Sequence, residues 1–158
     1  MELSEARIKF ADKLRTGKLV TCPCCRRVAK VYKRNFYFAQ AKNLIQLYKR
    51  AGYWVHVCKM EDSARGGDFA KMKYWGLIRE RTKDENDKKK RTSGYWTITK
   101  KGILFVTGKT QIPKYVLVYE GEMLKESEEL INIWDTFEKR FDYEELMRTL
   151  SRRERGSL

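Results

Sequence analysis

The chain has 158 residues, enough for one compact domain with appendages and for a core that needs no disulfides. Hydrophobic residues make up 42% and aromatics 13%, which excludes a disordered chain, and no apolar run approaches the ~20 residues that cross a bilayer. Lys and Arg number 35 against 21 Asp and Glu, and the resulting +14 favours polyanionic partners, nucleic acid or an anionic surface.

The first residues, MELSEARIKFADKLR, read as a charged helix rather than a signal peptide. Leu3, Ala6, Ile8, Phe10, Ala11 and Leu14 predict a helix from Leu3 to Thr16, capped by Ser4 and stopped by Gly17. Lys18–Thr21 and Arg27–Lys33, with Val28, Val31 and Tyr32, are expected as two short strands around Cys22-Pro23-Cys24-Cys25. Asn35 is placed to cap a helix to Arg50, ended by Gly52. Its core face carries Ala41, Leu44, Ile45 and Tyr48; Gln40, Lys42, Asn43, Gln46 and Lys49 take the other side. Tyr53–Cys58 is expected to be extended.

Ser63–Gly67 predicts a turn, and Asp68 an N-cap for a helix to Trp75 that buries Phe69, Met72 and the Trp75-Gly76 end. Ala70, Lys71, Lys73 and Tyr74 are left on its outer side. Leu77–Arg81 and Tyr95–Thr99 read as strands joined by the polar loop KDENDKKKRTSG. Ile103–Val106 and Tyr115–Tyr119 are further β-prone runs, separated by Pro113. In the tail, Leu130, Ile131, Trp134, Phe137, Phe141, Leu146 and Leu150 predict one or two helices with a break near Phe141-Asp142.

The order helix, strand, basic loop, strand, with Gly76-Leu77-Ile78-Arg79, Trp96-Thr97-Ile98-Thr99 and Gly102, resembles the recognition helix and wing of winged helix-turn-helix proteins. The expected fold is therefore α+β: a winged helix-turn-helix over residues 35–121, preceded by a helix and Cys-rich β-hairpin over 1–34 and followed by a helical tail over 122–158. In such a fold the short helix enters a groove while the hairpin lies along the neighbouring backbone. Lys71, Lys73 and Tyr74 are the candidate groove contacts, and Arg65 and Gly67 the candidate phosphate contacts at the helix start. Lys88, Lys89, Lys90 and Arg91 form a cationic run for phosphates at the wing tip, although Asp84, Glu85 and Asp87 stand next to it. Tyr95 and Trp96 read as core or wing-base aromatics rather than base-stacking groups.

Cys22 and Cys25 form a CxxC of the kind that grips zinc with two thiolates, and a structural site needs four ligands. The sole His, His56, and Cys58 share one side of an extended segment and are the candidates to complete it. The competing expectation is a hairpin of reduced thiols with His56 as a satisfied buried residue. No nucleophile elbow, phosphate loop or HExxH motif is present, so catalysis is not expected.

The pattern CPCC…KVYKR, WVHV, RGGD-x-AK-x-x-YWGLI, T-x-KG-x-x-FV-x-G-x-x-x-x-PKYVxVY and FDYEELM resembles a group of small bacteriophage proteins over residues 20 to 150, with Arg26 standing where those proteins carry Gly. The resemblance implies a phage origin and the host cytoplasm. The functional expectation is a DNA-binding regulator of transcription. The alternatives are a module that binds and inhibits a host protein, and a binder of RNA or single strands.

Overall fold

The structure, a computed structural model, describes residues 2–17, 19–60, 67–82, 93–137 and 143–148. It is a mixed α+β protein that divides into two compact units, Met1–Asn35 with Pro113–Glu129, and Phe36–Ile112 with Leu130–Leu158. The second unit thus holds most of the segment expected to be a winged helix, while residues 113–121 of that segment and 122–129 of the expected tail join the N-terminal hairpin.

In the first unit, α1 (Leu3–Arg15) begins after Glu2 rather than at a Ser4 cap. Strands β1 (Val20–Thr21) and β2 (Val28–Ala29) pair as the short hairpin around the cysteines. The expected strand Arg27–Lys33 is divided, and its second half belongs to β3 (Tyr32–Asn35). There Asn35 pairs opposite Tyr115 and is not a helix cap. The central partner is β8 (Tyr115–Tyr119), which pairs antiparallel with β3 and with β9 (Glu122–Glu126). Residues 122–126 are thus a strand and not the start of a helical tail. A tight turn at Glu120-Gly121, both at positive φ, folds them back on β8, where their backbone groups complete a ladder. Leu14, Val20, Ala29 and Val31 form the core, with Phe10, Leu117, Tyr119 and Leu124 packed against it.

The second unit starts with α2 (Phe38–Lys49). Its first turn is closed by the Gln40 side chain, whose Oε1 accepts from the Tyr37 N–H at 2.9 Å. Ala41, Leu44 and Ile45 are buried as expected, but so are Gln40 and Asn43, which the helical pattern placed on the polar face. Strand β4 (Val55–His56) is followed by a 3-10 turn over Val57–Lys59, and a second 3-10 helix spans Ala70–Trp75. Strands β5 (Ile78–Glu80) and β6 (Tyr95–Ile98) form an antiparallel hairpin at the expected positions. Strand β4 adds to the free edge of β6, giving the sheet order β4-β6-β5.

Two departures follow from side-chain geometry. Phe69, Met72 and Trp75 recur every third residue and are all buried, which suits the three residues per turn of a 3-10 helix better than the 3.6 of an α-helix. Ile103–Val106, read as a strand, lies in α3 (Lys100–Val106). The Thr99 hydroxyl accepts from the Gly102 N–H at 3.1 Å and caps the start of that helix. A Cβ on Gly102 would fall on the Leu77 carbonyl oxygen, itself an acceptor for the Thr99 N–H at 3.0 Å. The T-x-x-G signature is therefore a cap joined to a close backbone approach.

Strand β7 (Ile112–Pro113) pairs with β10 (Leu130–Ile131), and a 3-10 turn spans Trp134–Thr136. Helix α4 (Tyr143–Arg148) is α-helical, as expected of the tail. Phe36 meets Trp75 and Phe105 edge-on at 5.5 and 5.4 Å between ring centroids, locking the 3-10 helix and α3 around one aromatic core. Among the described residues no helix is long and apolar enough to cross a membrane.

Candidate nucleic-acid interface

The Ala70–Trp75 segment is positioned from both ends. Gln40 Nε2 donates to the Asp68 carbonyl at 2.9 Å, so α2 holds the entry to the 3-10 helix. At the exit, Gly76 takes φ +71, a left-handed conformation in which a Cβ is unfavourable, and its N–H donates to Lys73 O. With Phe69, Met72 and Trp75 inward, the other rows of the helix are Ala70–Lys73 and Lys71–Tyr74.

The candidate contacts are not equivalent. Lys71 Nζ lies 3.0 Å from Asp68 Oδ1, so its charge is already shared with a neighbouring carboxylate. Asp68 is therefore an ion-pair partner and not the expected side-chain N-cap. Lys73 is exposed, with its Nζ 5.6 Å from the centre of the Tyr74 ring. Gly67 is exposed in the turn before the helix. A six-residue 3-10 helix offers little aligned dipole, which removes the argument for a phosphate cradle at its start. Arg65, Lys88, Lys89, Lys90 and Arg91 lie outside the described residues.

The hairpin presents two different faces. Paired positions of antiparallel strands point to the same side. Val55, Trp96, Ile78 and Ile98 are all buried on the inner side, and Trp96 packs edge-on against Phe69 at 5.9 Å. The outer side carries His56 opposite Tyr95 and Arg79 opposite Thr97, with Trp54 continuing the β4 register and Arg81 that of β5. Arg81 N–H donates to Tyr95 O at 2.9 Å, which fixes its place beside that residue. Tyr95 and Trp96, treated alike in the sequence, thus part company: Trp96 is core and Tyr95 is exposed.

The Cys-rich turn is closed by Cys22 N–H donating to Arg27 O at 2.8 Å and Arg26 N–H donating to Cys22 O at 2.9 Å. Arg26 takes φ +59, a left-handed conformation that favours Gly. Hydrogen bonds from the Cys25 backbone, then the Cys24 backbone, hold the Cys22 thiol below its ordinary pKa. These features suit a thiolate.

The expected partners show a different arrangement. His56 and Cys58 are not on one extended segment, because the strand ends at His56 and Cys58 lies in the 3-10 turn. Cys58 Sγ is 2.9 Å from His56 Nδ1, and the Cys58 N–H also donates to that nitrogen at 3.2 Å. The Cys22 pair belongs to the first unit and the His56 pair to the second. Among the described residues, no three His, Cys, Asp or Glu side chains are grouped to hold a metal ion, so a complete four-ligand zinc site is not formed by them.

The rings and guanidiniums of the outer face are not evident as a group in the sequence. Their signal there is the alternation Trp54-x-His56, Arg79-x-Arg81 and Tyr95-x-Thr97, which acquires meaning only once the strands are paired. Compared with known proteins, the chain matches no family model, no curated protein and no solved structure.

Proposed function

We propose that the chain binds duplex DNA, directing the Ala70–Trp75 helix at a groove and the cations Lys88, Lys89, Lys90 and Arg91 at the adjoining backbone. The observation that carries this reading is topological. A helix, an edge strand, two short helical segments and a hairpin follow in that order, with the sheet order β4-β6-β5 expected of a winged helix. The +14 charge supports it, because phosphate neutralisation dominates such binding. A role as a phage regulator of transcription in a host cytoplasm rests on the sequence resemblance alone.

Zinc at the Cys22–Cys25 turn is proposed from the backbone groups directed at Cys22.

The test is anisotropy of a labelled random duplex of about 20 base pairs, titrated at several salt concentrations. Log affinity should fall with log salt with a slope of about −0.9 for each phosphate contacted. A flat slope, or no binding at low salt, overturns the proposal. Salt-insensitive capture of one host protein instead would favour the interaction module.

A further inference from the structure

The outer face of the β4-β6-β5 sheet combines open rings with guanidinium groups. Trp54 is 40% exposed and Tyr95 38%, while Trp96 on the opposite face is 2% exposed. The Arg79 guanidinium lies 5.3 Å from the centre of the Trp54 ring, and that of Arg81 lies 5.4 Å from the Tyr95 ring. Thr97, between the two outer strands on this face, is 8% exposed. His56 meets Tyr95 edge-on at 4.9 Å.

Exposed aromatic rings lose favourable burial, and two of them on one small sheet face call for an occupant. The face is positively charged as well: among the described residues, neither Arg79 nor Arg81 forms an ion pair. Glu80, the acid between them in sequence, points to the other side and accepts from the Ser93 N–H at 2.9 Å. A hydrophobic protein partner would have to strip water from both guanidiniums at considerable cost. An anionic chain bearing flat aromatic groups would satisfy rings and charges together.

Spacing selects the form of that chain. By register, Trp54 stands opposite Thr97, and Tyr95 is two residues along the same strand, which makes the two rings diagonal neighbours. Diagonal neighbours on an antiparallel sheet are about 7–8 Å apart. Stacked bases rise only about 3.4 Å per step. A duplex cannot present consecutive bases to both rings, whereas a single strand can splay its bases to that spacing.

We propose that this face is a stacking platform for single-stranded DNA. Successive bases lie on Trp54 and Tyr95, and Arg79 and Arg81 meet the flanking phosphates. The platform is separate from the proposed duplex contacts, since it uses no side chain of the Ala70–Trp75 helix and none of the Lys88–Arg91 run.

The experiment measures anisotropy of labelled dT12, rU12 and a 20-base-pair duplex against the full chain and its Trp54→Ala, Tyr95→Ala and Tyr95→Phe variants. Each alanine variant should bind dT12 about 5- to 150-fold more weakly, the loss of one stacked base. Tyr95→Phe should retain parental affinity for dT12, because stacking needs the ring and not the hydroxyl. Duplex affinity should stay within twofold in all variants, which also shows that they remain folded. Unchanged dT12 binding in both alanine variants overturns the platform, as does equal loss on duplex and dT12. Tighter parental binding to rU12 than to dT12 overturns the choice of DNA. Failure of the parent to bind duplex, with dT12 behaving as expected, overturns only the duplex reading.

Discussion

Gln40 reaches across 28 residues of sequence to donate from Nε2 to the Asp68 carbonyl at 2.9 Å. The same carboxamide accepts from the Tyr37 N–H with its other atom, also at 2.9 Å. One buried side chain therefore closes the first turn of α2 and fixes the entry of the 3-10 helix that carries Lys73 and Tyr74. Gln40→Ala should leave the Asp68 carbonyl without that donor and cost about 1–3 kcal/mol of stability, measured by urea unfolding. Duplex binding should weaken too, because the helix loses its anchor. A variant as stable as the parent would show that water replaces the carboxamide at no cost.

The two lysines of the short helix should differ in effect. Lys71 is engaged by Asp68, whereas Lys73 is exposed to solvent beside Tyr74. Lys73→Ala should therefore weaken duplex binding more than Lys71→Ala, in anisotropy titrations at a fixed low salt. Replacing Lys88, Lys89, Lys90 and Arg91 together by Ala should flatten the salt slope by about 0.9 for each phosphate no longer neutralised, with similar losses of affinity on all sequences. An unchanged slope would remove the wing from the interface.

Gly102→Ala tests the close approach at the start of α3. Alanine is the better helix former by about 1 kcal/mol. Its Cβ, however, would meet the Leu77 carbonyl oxygen, which is held in place by the Thr99 N–H. Overpacking against fixed backbone costs about 1–3 kcal/mol, and the upper end is expected here, so the net change is destabilising. A raised melting temperature would contradict this geometry.

Arg26→Gly should act in the opposite direction. The left-handed backbone at φ +59 costs a non-glycine residue about 1–2 kcal/mol, while glycine adds about 0.5–1 kcal/mol of chain entropy to be lost on folding. The expected balance is a stabilisation of about 0.5–1 kcal/mol, read by thermal unfolding. A lower melting temperature would mean that the Arg26 side chain makes a contribution larger than the backbone strain.

Elemental analysis of protein purified without chelator tests the metal proposal. Cys22→Ser should lose bound zinc and Cys24→Ser should keep it. Because the Cys58 thiol is turned onto His56 Nδ1 at 2.9 Å and not grouped with further donors among the described residues, Cys58→Ser should leave the zinc content at the parental value. Loss of zinc in Cys58→Ser would instead bring His56 and Cys58 into the ligand set.

The sequence by itself determined the local elements whose signals are short-range. The Cys22–Cys25 turn lies between two strands, β5 and β6 stand where their apolar runs put them, and Phe69, Met72 and Trp75 are buried as expected, although Gly76 is exposed. Tertiary structure decided the rest, for identifiable reasons. Ile103–Val106 is β-branched and aromatic in part, yet the Thr99 cap and the bare Gly102 backbone against Leu77 make it helical. Gln40 looked solvent-facing because helical periodicity cannot see a partner segment 28 residues away. Residues 122–126 became a strand because β8 offered an unpaired ladder, a condition absent from their own composition. The outer-face platform follows the same logic. Trp54, Arg79, Arg81 and Tyr95 are scattered along the chain, and only the register of three strands places two rings beside two guanidiniums on one face.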